Sequence, residues 1–145
     1  MMDAFLPHLK KVNHAAIVNV SSGPAFVPLL ISAVYCATKA ALHSYTQSLR
    51  VQLSNTPIKV FELMPPATET ELLGDFEEQD MQGISVMNTD KMVEAFIKGF
   101  ERDTLEIRPG QSNQLRFMSR FFPGFILRQM SRPVENMHRS AGKAR

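Results

Sequence analysis

A tyrosine and a lysine four residues apart, Tyr35 and Lys39, are the pair in this sequence best suited to proton-transfer chemistry. Residues four apart lie on one face of a helix, so this phenol and this ammonium can act on one small molecule. A phenol alone is a poor acid or base near neutrality because its reference pKa is about 10. A cation about 5 Å away stabilises a phenolate by about 3 kcal/mol at an effective dielectric of about 20, but by only about 0.8 kcal/mol in bulk water. The pair therefore suits general acid–base catalysis in a cleft that excludes most water.

Polar groups also follow two apolar runs of the chain. The run 15–20 (AAIVNV) leads into Ser22, thirteen residues before Tyr35, and the run 58–64 (IKVFELM) leads into 65–70 (PPATET). Both runs are short and rich in apolar and β-branched residues, which is typical of buried strands.

Each of these signals has a purely structural alternative. A Tyr-x-x-x-Lys pattern also arises by chance, and it then describes a tyrosine at the edge of the core beside a solvated lysine. Ser22 can equally cap local backbone in a turn. Three neighbouring polar or small residues fit structural roles better than catalytic ones: Ser21, Thr38 and Cys36. The four histidines, His8, His14, His43 and His138, form no recognisable metal-binding pattern.

The periodicity of apolar residues, together with proline and glycine, predicts strands that alternate with helices. The predicted helices are 2–11, 32–54 and 90–101, the last capped by Asn88 or Thr89, and the predicted strands are 15–20, 58–64 and 105–108. Residues 70–88 are predicted to form a loop with short helical pieces. This alternation indicates parallel βαβ units in a sheet covered on both faces. Ligands bind at the carboxyl ends of such strands, where Ser22, Tyr35 and 65–70 are expected to meet.

Composition places the chain among ordinary globular proteins of one domain. It has 145 residues, of which 44% are hydrophobic and 21% charged. The single cysteine excludes an internal disulfide and is compatible with a reducing compartment. Residues 1–11 (MMDAFLPHLKK) lack the pattern of a secretory signal, and no apolar run approaches the roughly 20 residues that span a bilayer. We therefore expect a soluble, cytoplasmic protein.

The net charge of +2 conceals an asymmetry along the chain. No basic residue lies between Lys59 and Lys91, whereas residues 102–145 contain nine Lys and Arg against three Asp and Glu. The basic residues are spread among aromatic and aliphatic ones, which favours one or two C-terminal helices with a solvated basic face. The alternative is a surface that docks on a membrane or a partner. No nucleic-acid partner is expected.

In combination, the motifs IVNVSSG, YCATKAAL and PPATET resemble the short-chain dehydrogenase/reductase family over residues 1–108. Within the family the resemblance is strongest to a bacterial branch of DltE-like oxidoreductases. In that family an N-x-S-S strand end carries the catalytic serine, which matches Ser22, and the catalytic Y-x-x-x-K matches Tyr35 and Lys39. The family's P-G-x-x-x-T segment matches 65–70, with Pro66 in place of the glycine.

The resemblance implies an oxidoreductase that transfers a hydride between the nicotinamide of NAD or NADP and a carbonyl or alcohol carbon of a small molecule. It implies that Tyr35 exchanges a proton with the substrate oxygen and that Ser22 hydrogen-bonds this oxygen. Lys39 would assist Tyr35 and bind the nicotinamide ribose. The implied cofactor-binding residues are Tyr35, Lys39, Pro65, Pro66, Ala67 and Thr70, with Thr70 at the carboxamide; no metal is implied.

Other features of the sequence depart from a complete dinucleotide fold. The seven glycines are isolated, and none forms the glycine-rich turn that binds pyrophosphate after a first strand. We therefore expect a partial Rossmann-like doubly wound sheet of about three parallel strands, without the N-terminal cofactor-binding half. Residues 1–110 would form its C-terminal portion and 111–145 a helical basic extension. Strand 15–20 would then be an uncovered edge.

Two functional interpretations remain open from the sequence. In one, the chain is the catalytic part of a truncated oxidoreductase, with little or no turnover on its own. In the other, it is a catalytically inactive relative that acts as a dimerising or partner-binding module. The resemblance implies a homo-oligomer formed through helices 2–11 and 32–54 in either case.

Overall fold

A computed structural model of the chain describes residues 2–70 and 85–131. The elements, in chain order, are α1 (Met2–Leu9), β1 (Ala15–Val20), α2 (Ala33–Gln52), β2 (Ile58–Leu63), α3 (Thr89–Glu101), β3 (Glu106–Ile107) and α4 (Gln111–Phe121). Two short 3₁₀ turns, Gly23–Ala25 and Leu30–Ser32, lie between β1 and α2. Residues 123–131 are also helical. The middle of the loop predicted over 70–88 and the end of the predicted extension 111–145 lie outside the described residues.

The three strands form one parallel sheet in the order β1-β2-β3. Ala15 pairs with Ile58 at one end of β1 and Val20 pairs with Leu63 at the other, so the two strands end together. The predicted α/β architecture with a partial doubly wound parallel sheet is thereby confirmed. The register also brings the residues that follow β1 and β2 to the same edge of the sheet.

Helix α2 covers one face of the sheet. Its residues Thr46 and Leu49 are buried, and Leu53 follows in the same stripe at helical spacing. This stripe packs on alternate residues of the strands, and the resulting core cluster comprises Ile17, Leu49, Leu53, Ile58 and Val60. Leu6 and Leu9 of α1 pack against its margin.

Helix α3 covers the opposite face, over β2 and β3. Phe61 of β2 is 1% exposed, and its ring centroid lies 4.6 Å from that of Phe100 on α3. Gly99 lets α3 approach β3 closely, because a Cβ atom at this position would lie 2.7 Å from a side-chain carbon of Ile107. As the sequence predicted, Asn88 caps this helix: its side-chain oxygen accepts a hydrogen bond from the Asp90 amide.

The prediction that both faces of the sheet are covered holds for β2 but is wrong for β1. Ile17 faces α2 and is buried, whereas Ala16, Val18 and Val20 on the other face are exposed. The physical reason is that α3 lies over β2 and β3 and leaves the second face of β1 open. Strand β1 is therefore the edge strand that the sequence led us to expect, and one of its faces is apolar and uncovered.

Helix α4 begins after Gly110, whose positive φ of 55° favours glycine. It packs on the turn that follows β1, where Ser112 and Leu115 lie against Gly23. The opposite side of the C-terminal region carries exposed aromatic side chains, Phe117, Phe121, Phe122 and Phe125. Among the described residues, none of the helices has the length and hydropathy needed to cross a membrane.

Candidate active site

The chain turns sharply at the end of β1, and Ser22 lies in this turn. The backbone amides of Ser21 and Gly23 donate to the carbonyl oxygens of Leu63 and Pro65, at 2.9 and 3.0 Å. The turn is therefore fastened to the end of β2 on both sides of Ser22. The Ser22 side chain is largely buried, and its Oγ lies 3.5 Å from the Pro65 carbonyl oxygen. A hydrogen bond of this length is weak, so the hydroxyl can turn toward a ligand at modest cost.

Tyr35 and Lys39 occupy the first two turns of α2, as the spacing predicted. The Lys39 Nζ lies 5.6 Å from the centroid of the Tyr35 ring and donates to the Val20 carbonyl oxygen at 3.0 Å. Val20 is the last residue of β1, two residues before Ser22. The ammonium therefore connects the start of α2 to the strand end that carries Ser22. Tyr35 as a residue is 37% exposed, so it is accessible from solvent.

The segment 65–70 leaves β2 at the same edge and is held by the residues around Met87. The Ala67 carbonyl oxygen accepts from the Met87 amide at 2.8 Å, and the Glu69 amide donates to the Met87 carbonyl oxygen at 3.0 Å. Pro66 is buried and has no amide proton to donate. The Thr70 hydroxyl is exposed and lies 3.3 Å from the Thr68 carbonyl oxygen, to which it donates.

The structure brings Ser22 and Pro65 into contact, and it places Lys39 between Tyr35 and the end of β1. Thr70 makes its hydrogen bond within its own loop. Thr38, predicted to be structural, donates to the Tyr35 carbonyl oxygen at 2.7 Å, and the thiol of Cys36 is buried against the backbone of Leu29. Among the described residues, no group of His, Cys, Asp and Glu could hold a metal ion.

Sequence reasoning missed a buried polar group directly below this edge. Glu62 of β2 is 0% exposed; it accepts a hydrogen bond from the Ser21 hydroxyl and contacts His43 of α2. The available signal was a glutamate inside the apolar run 58–64, since glutamate is almost never fully buried unless it is paired. The sequence identified neither of its partners.

The arrangement as a whole is a phenol, an ammonium and a serine hydroxyl at the carboxyl edge of a parallel α/β sheet. Residues 1–81 match the family model described as short chain dehydrogenase, and these residues are more than half of the chain. The chain therefore belongs to the short-chain dehydrogenase family, a family of oxidoreductases.

Among curated relatives, the uncharacterized oxidoreductase DltE of Bacillus subtilis is 40% identical over 129 residues, which are 88% of this chain and 50% of the relative. Estradiol 17-beta-dehydrogenase 2 of Mus musculus is 35% identical over 71% of this chain and 24% of its own length. The chain thus spans half or less of the length of these relatives.

Two solved structures show the same fold. A short-chain dehydrogenase from Burkholderia cenocepacia J2315, crystallised in complex with NADP, aligns with a TM-score of 0.77 at 24% identity over 90% of this chain and 52% of that one. A short-chain dehydrogenase from Sphingobium yanoikuyae in complex with NADPH aligns with a TM-score of 0.65 at 32% identity over 73% of this chain and 41% of that one.

Proposed function

We propose that the chain carries the catalytic site of an NAD- or NADP-dependent oxidoreductase acting on a small carbonyl or alcohol substrate. One observation carries the proposal: the Lys39 ammonium lies 5.6 Å from the Tyr35 ring centroid and is hydrogen-bonded to the strand end that leads to Ser22. This contact places the ammonium beside both the phenol and the strand end that leads to Ser22. The nicotinamide, when bound, supplies or accepts the hydride.

The chain's own residues handle the proton and the charge on the substrate oxygen. In the reducing direction Tyr35 gives its phenolic proton to this oxygen, and in the oxidising direction it takes the proton back. Ser22 donates a hydrogen bond to the same oxygen, where negative charge develops during hydride transfer. Lys39 stabilises the phenolate that Tyr35 leaves behind.

The residues fit the ribose and nicotinamide end of a dinucleotide. An ammonium has three donors, and Lys39 gives one of them to Val20, so two can reach ribose hydroxyls. Tyr35, Pro65, Pro66, Ala67 and Thr70 would complete the contacts, with the Thr70 hydroxyl at the carboxamide. Because Pro66 lacks an amide proton, the contribution of this position is shape and not a backbone hydrogen bond.

A second candidate function is a catalytically inactive module that pairs with another copy or a related subunit. It is favoured by two exposed valines of α2, Val34 at 79% and Val51 at 74%, and by the open edge of β1. We propose a homo-oligomer formed through segments 2–11 and 32–54 under either function. We also propose a cytoplasmic setting, in keeping with the single free cysteine.

Titration of the purified chain with NADPH and with NADH, followed by cofactor fluorescence, separates the two functions. We expect saturable binding that Lys39→Ala weakens about tenfold or more, since hydrogen bonds to a charged group contribute about 1.5–3 kcal/mol. Tyr35→Phe should reduce carbonyl turnover much more than it reduces binding. Lys59→Ala is the matched control, because Lys59 pairs with Asp103 at the opposite end of β2.

The outcomes differ clearly. Binding that depends on Lys39 but not on Lys59 would support the oxidoreductase site and justify a search for carbonyl substrates. We expect the 145-residue chain to show weak binding and little turnover, because its sequence contains no glycine-rich motif of the kind that binds pyrophosphate. The absence of binding up to millimolar cofactor would favour the inactive module.

A further inference from the structure

The side chain of Glu62 joins the three elements that carry the candidate active site. Its Oε1 accepts from the Ser21 hydroxyl at 2.5 Å, and its Oε2 lies 2.8 Å from the His43 Nδ1. Ser21 immediately precedes Ser22, His43 lies on α2, and Glu62 lies on β2, three residues before Pro65. One carboxylate therefore connects the Ser22 turn, the Tyr35 helix and the strand that leads to the cofactor segment.

The geometry of this contact is restrictive because the carboxylate is fully buried. A buried carboxylate is costly unless both of its oxygens receive hydrogen bonds, so both donors must stay in place. In its carboxylate form Glu62 accepts from both partners, and His43 then donates from Nδ1. The His43 Nε2 is then free to accept from the Gln47 amide nitrogen, which lies 3.2 Å away.

The helical spacing extends this constraint to the catalytic pair. Tyr35, Lys39 and His43 are four residues apart, so they form one stripe along α2 facing the ends of β1 and β2. Lys39 reaches the Val20 carbonyl oxygen and His43 reaches Glu62, which holds Ser21. The stripe is thus attached to the end of β1 at two consecutive residues that precede Ser22, directly at Val20 and through Glu62 at Ser21.

We propose that Glu62 is a positioning residue that fixes the Ser22 turn against the Tyr35–Lys39 helix through Ser21 and His43. It does not touch substrate or cofactor; it sets the separation between the serine hydroxyl and the phenol. This inference rests on the proposed function for its catalytic meaning, but the mechanical coupling that it requires can be measured without any turnover.

A second buried hydrogen bond between the same elements provides the control. The Asn19 amide donates to the Thr46 hydroxyl at 2.9 Å, which also ties β1 to α2 but lies about one helical turn farther from Tyr35. Thr46→Val removes this bond with almost no change in shape. If Glu62 only stabilised the fold, removing its hydrogen bonds and removing the Asn19–Thr46 hydrogen bond would have similar effects on the surroundings of Tyr35.

The experiment uses the two tyrosines of the chain as probes. Tyrosine ring signals are recorded by ¹³C nuclear magnetic resonance and assigned with Tyr35→Phe. We expect Ser21→Ala to shift the Tyr35 signal, although Ser21 lies in the turn after β1 and Tyr35 on α2, and to leave Tyr45 unchanged. In a Glu62→Gln background the same Ser21→Ala change should produce less than half of that shift, because the connection is already broken. Thr46→Val should leave the Tyr35 signal in place.

The proposal is overturned if Tyr35 does not respond to Ser21→Ala in folded protein, if Thr46→Val shifts its signal as much, or if the Glu62→Gln background makes no difference. Where the chain binds NADPH, Glu62→Gln should also raise Kd about tenfold while Thr46→Val leaves it unchanged. If no variant binds NADPH, the proposed function fails, and the tyrosine signals still decide whether Glu62 couples the two elements.

Discussion

The contact between Gly23 and α4 provides a test of how tightly the Ser22 turn is packed. A Cβ atom at Gly23 would lie 2.8 Å from the Ser112 Oγ and 3.2 Å from a terminal carbon of Leu115. Gly23→Ala therefore requires either α4 or the side chains of Ser112 and Leu115 to move by about half an ångström, since carbon atoms in contact lie about 3.5 Å or more from their neighbours. The Gly23 amide also holds the Pro65 carbonyl oxygen, so this movement would disturb the Ser22 turn.

The expected magnitude follows from two opposing effects. Overpacking in a buried contact costs about 1–3 kcal/mol. Alanine also restricts the backbone of the unfolded chain more than glycine does, which stabilises the folded state by about 0.4–1 kcal/mol. This gain applies at Gly23 because its φ is not in the left-handed region that alanine avoids. We expect Gly23→Ala to lower the free energy of unfolding by about 1–2 kcal/mol on balance.

A second substitution should rescue the first. The Ser112 Oγ is fully buried and has no hydrogen-bond partner among the described residues. Ser112→Ala removes this oxygen, and the nearest atom left on residue 112 is then its Cβ at 3.4 Å, an ordinary contact. The double variant Gly23→Ala/Ser112→Ala should therefore recover most of the lost stability. Ser112→Ala alone should be neutral or stabilising, since an unpartnered buried hydroxyl costs about 1–3 kcal/mol.

Urea denaturation of the four proteins in this cycle measures the effect. Gly124→Ala is the control, because a Cβ atom at Gly124 meets nothing within 4 Å. The packing of α4 on the Ser22 turn would be refuted if Gly23→Ala were as stable as the unchanged chain. It would also be refuted if the effects of the two substitutions were purely additive. In that case the C-terminal helix could not be part of the candidate site's support.

Two further predictions concern α3. Gly99→Ala should lower the free energy of unfolding by about 1–3 kcal/mol in urea denaturation, because the new methyl group would lie 2.7 Å from Ile107. An added Ile107→Val should restore part of this stability. If Gly99→Ala alone stabilised the chain, the close approach of α3 to β3 would be contradicted. A hydrogen bond from Lys98 lowers the pKa of Glu94. The pair therefore stabilises the fold fully at pH values above the ordinary pKa of a glutamate. This contribution is lost as the pH falls through the lowered pKa of Glu94. Lys98→Gln should therefore reduce stability in denaturation curves at neutral pH and have no effect in strong acid; an equal effect at both would show that charge pairing is not the cause.

Much of the fold could be predicted because local signals and tertiary structure agree. Strand β2 is apolar and ends at two prolines, and α2 ends before Pro57, so the structure departs from the predicted bounds by a residue or two. The cap at Asn88 was also predictable, since its side chain needs only the local helix start. The spacing of Tyr35 and Lys39 on one helix face belongs to this same class of local information.

The features of the structure that could not be predicted from the sequence depend on contacts between distant segments of the chain. The exposure of Val18 and Val20 could not be predicted from a β-branched run, because it depends on how far α3 extends over the sheet. The partners of Glu62 are 41 and 19 residues away in sequence, and nothing local indicates that Ser21 and His43 converge on it. The apolar residues of α2 likewise share helical spacing, yet Val34 and Tyr45 face away from the core that Leu49 joins.

The exposure of Tyr35 links these contacts to reactivity. For a charge separation of about the 5.6 Å that lies between the Lys39 Nζ and the Tyr35 ring centroid, the attraction between the ammonium and a phenolate is about 0.7 kcal/mol in a medium like bulk water and about 3 kcal/mol at an effective dielectric of about 20. Because Tyr35 is 37% exposed, solvent raises the effective dielectric around the pair above that of a closed site. Whatever covers the ring, whether a bound ligand or another chain, would strengthen this attraction without moving either residue. Lys39 is hydrogen-bonded to Val20, and His43 on the same face of α2 contacts Glu62. These two contacts hold Tyr35 and Lys39 side by side before a ligand or another chain covers the ring.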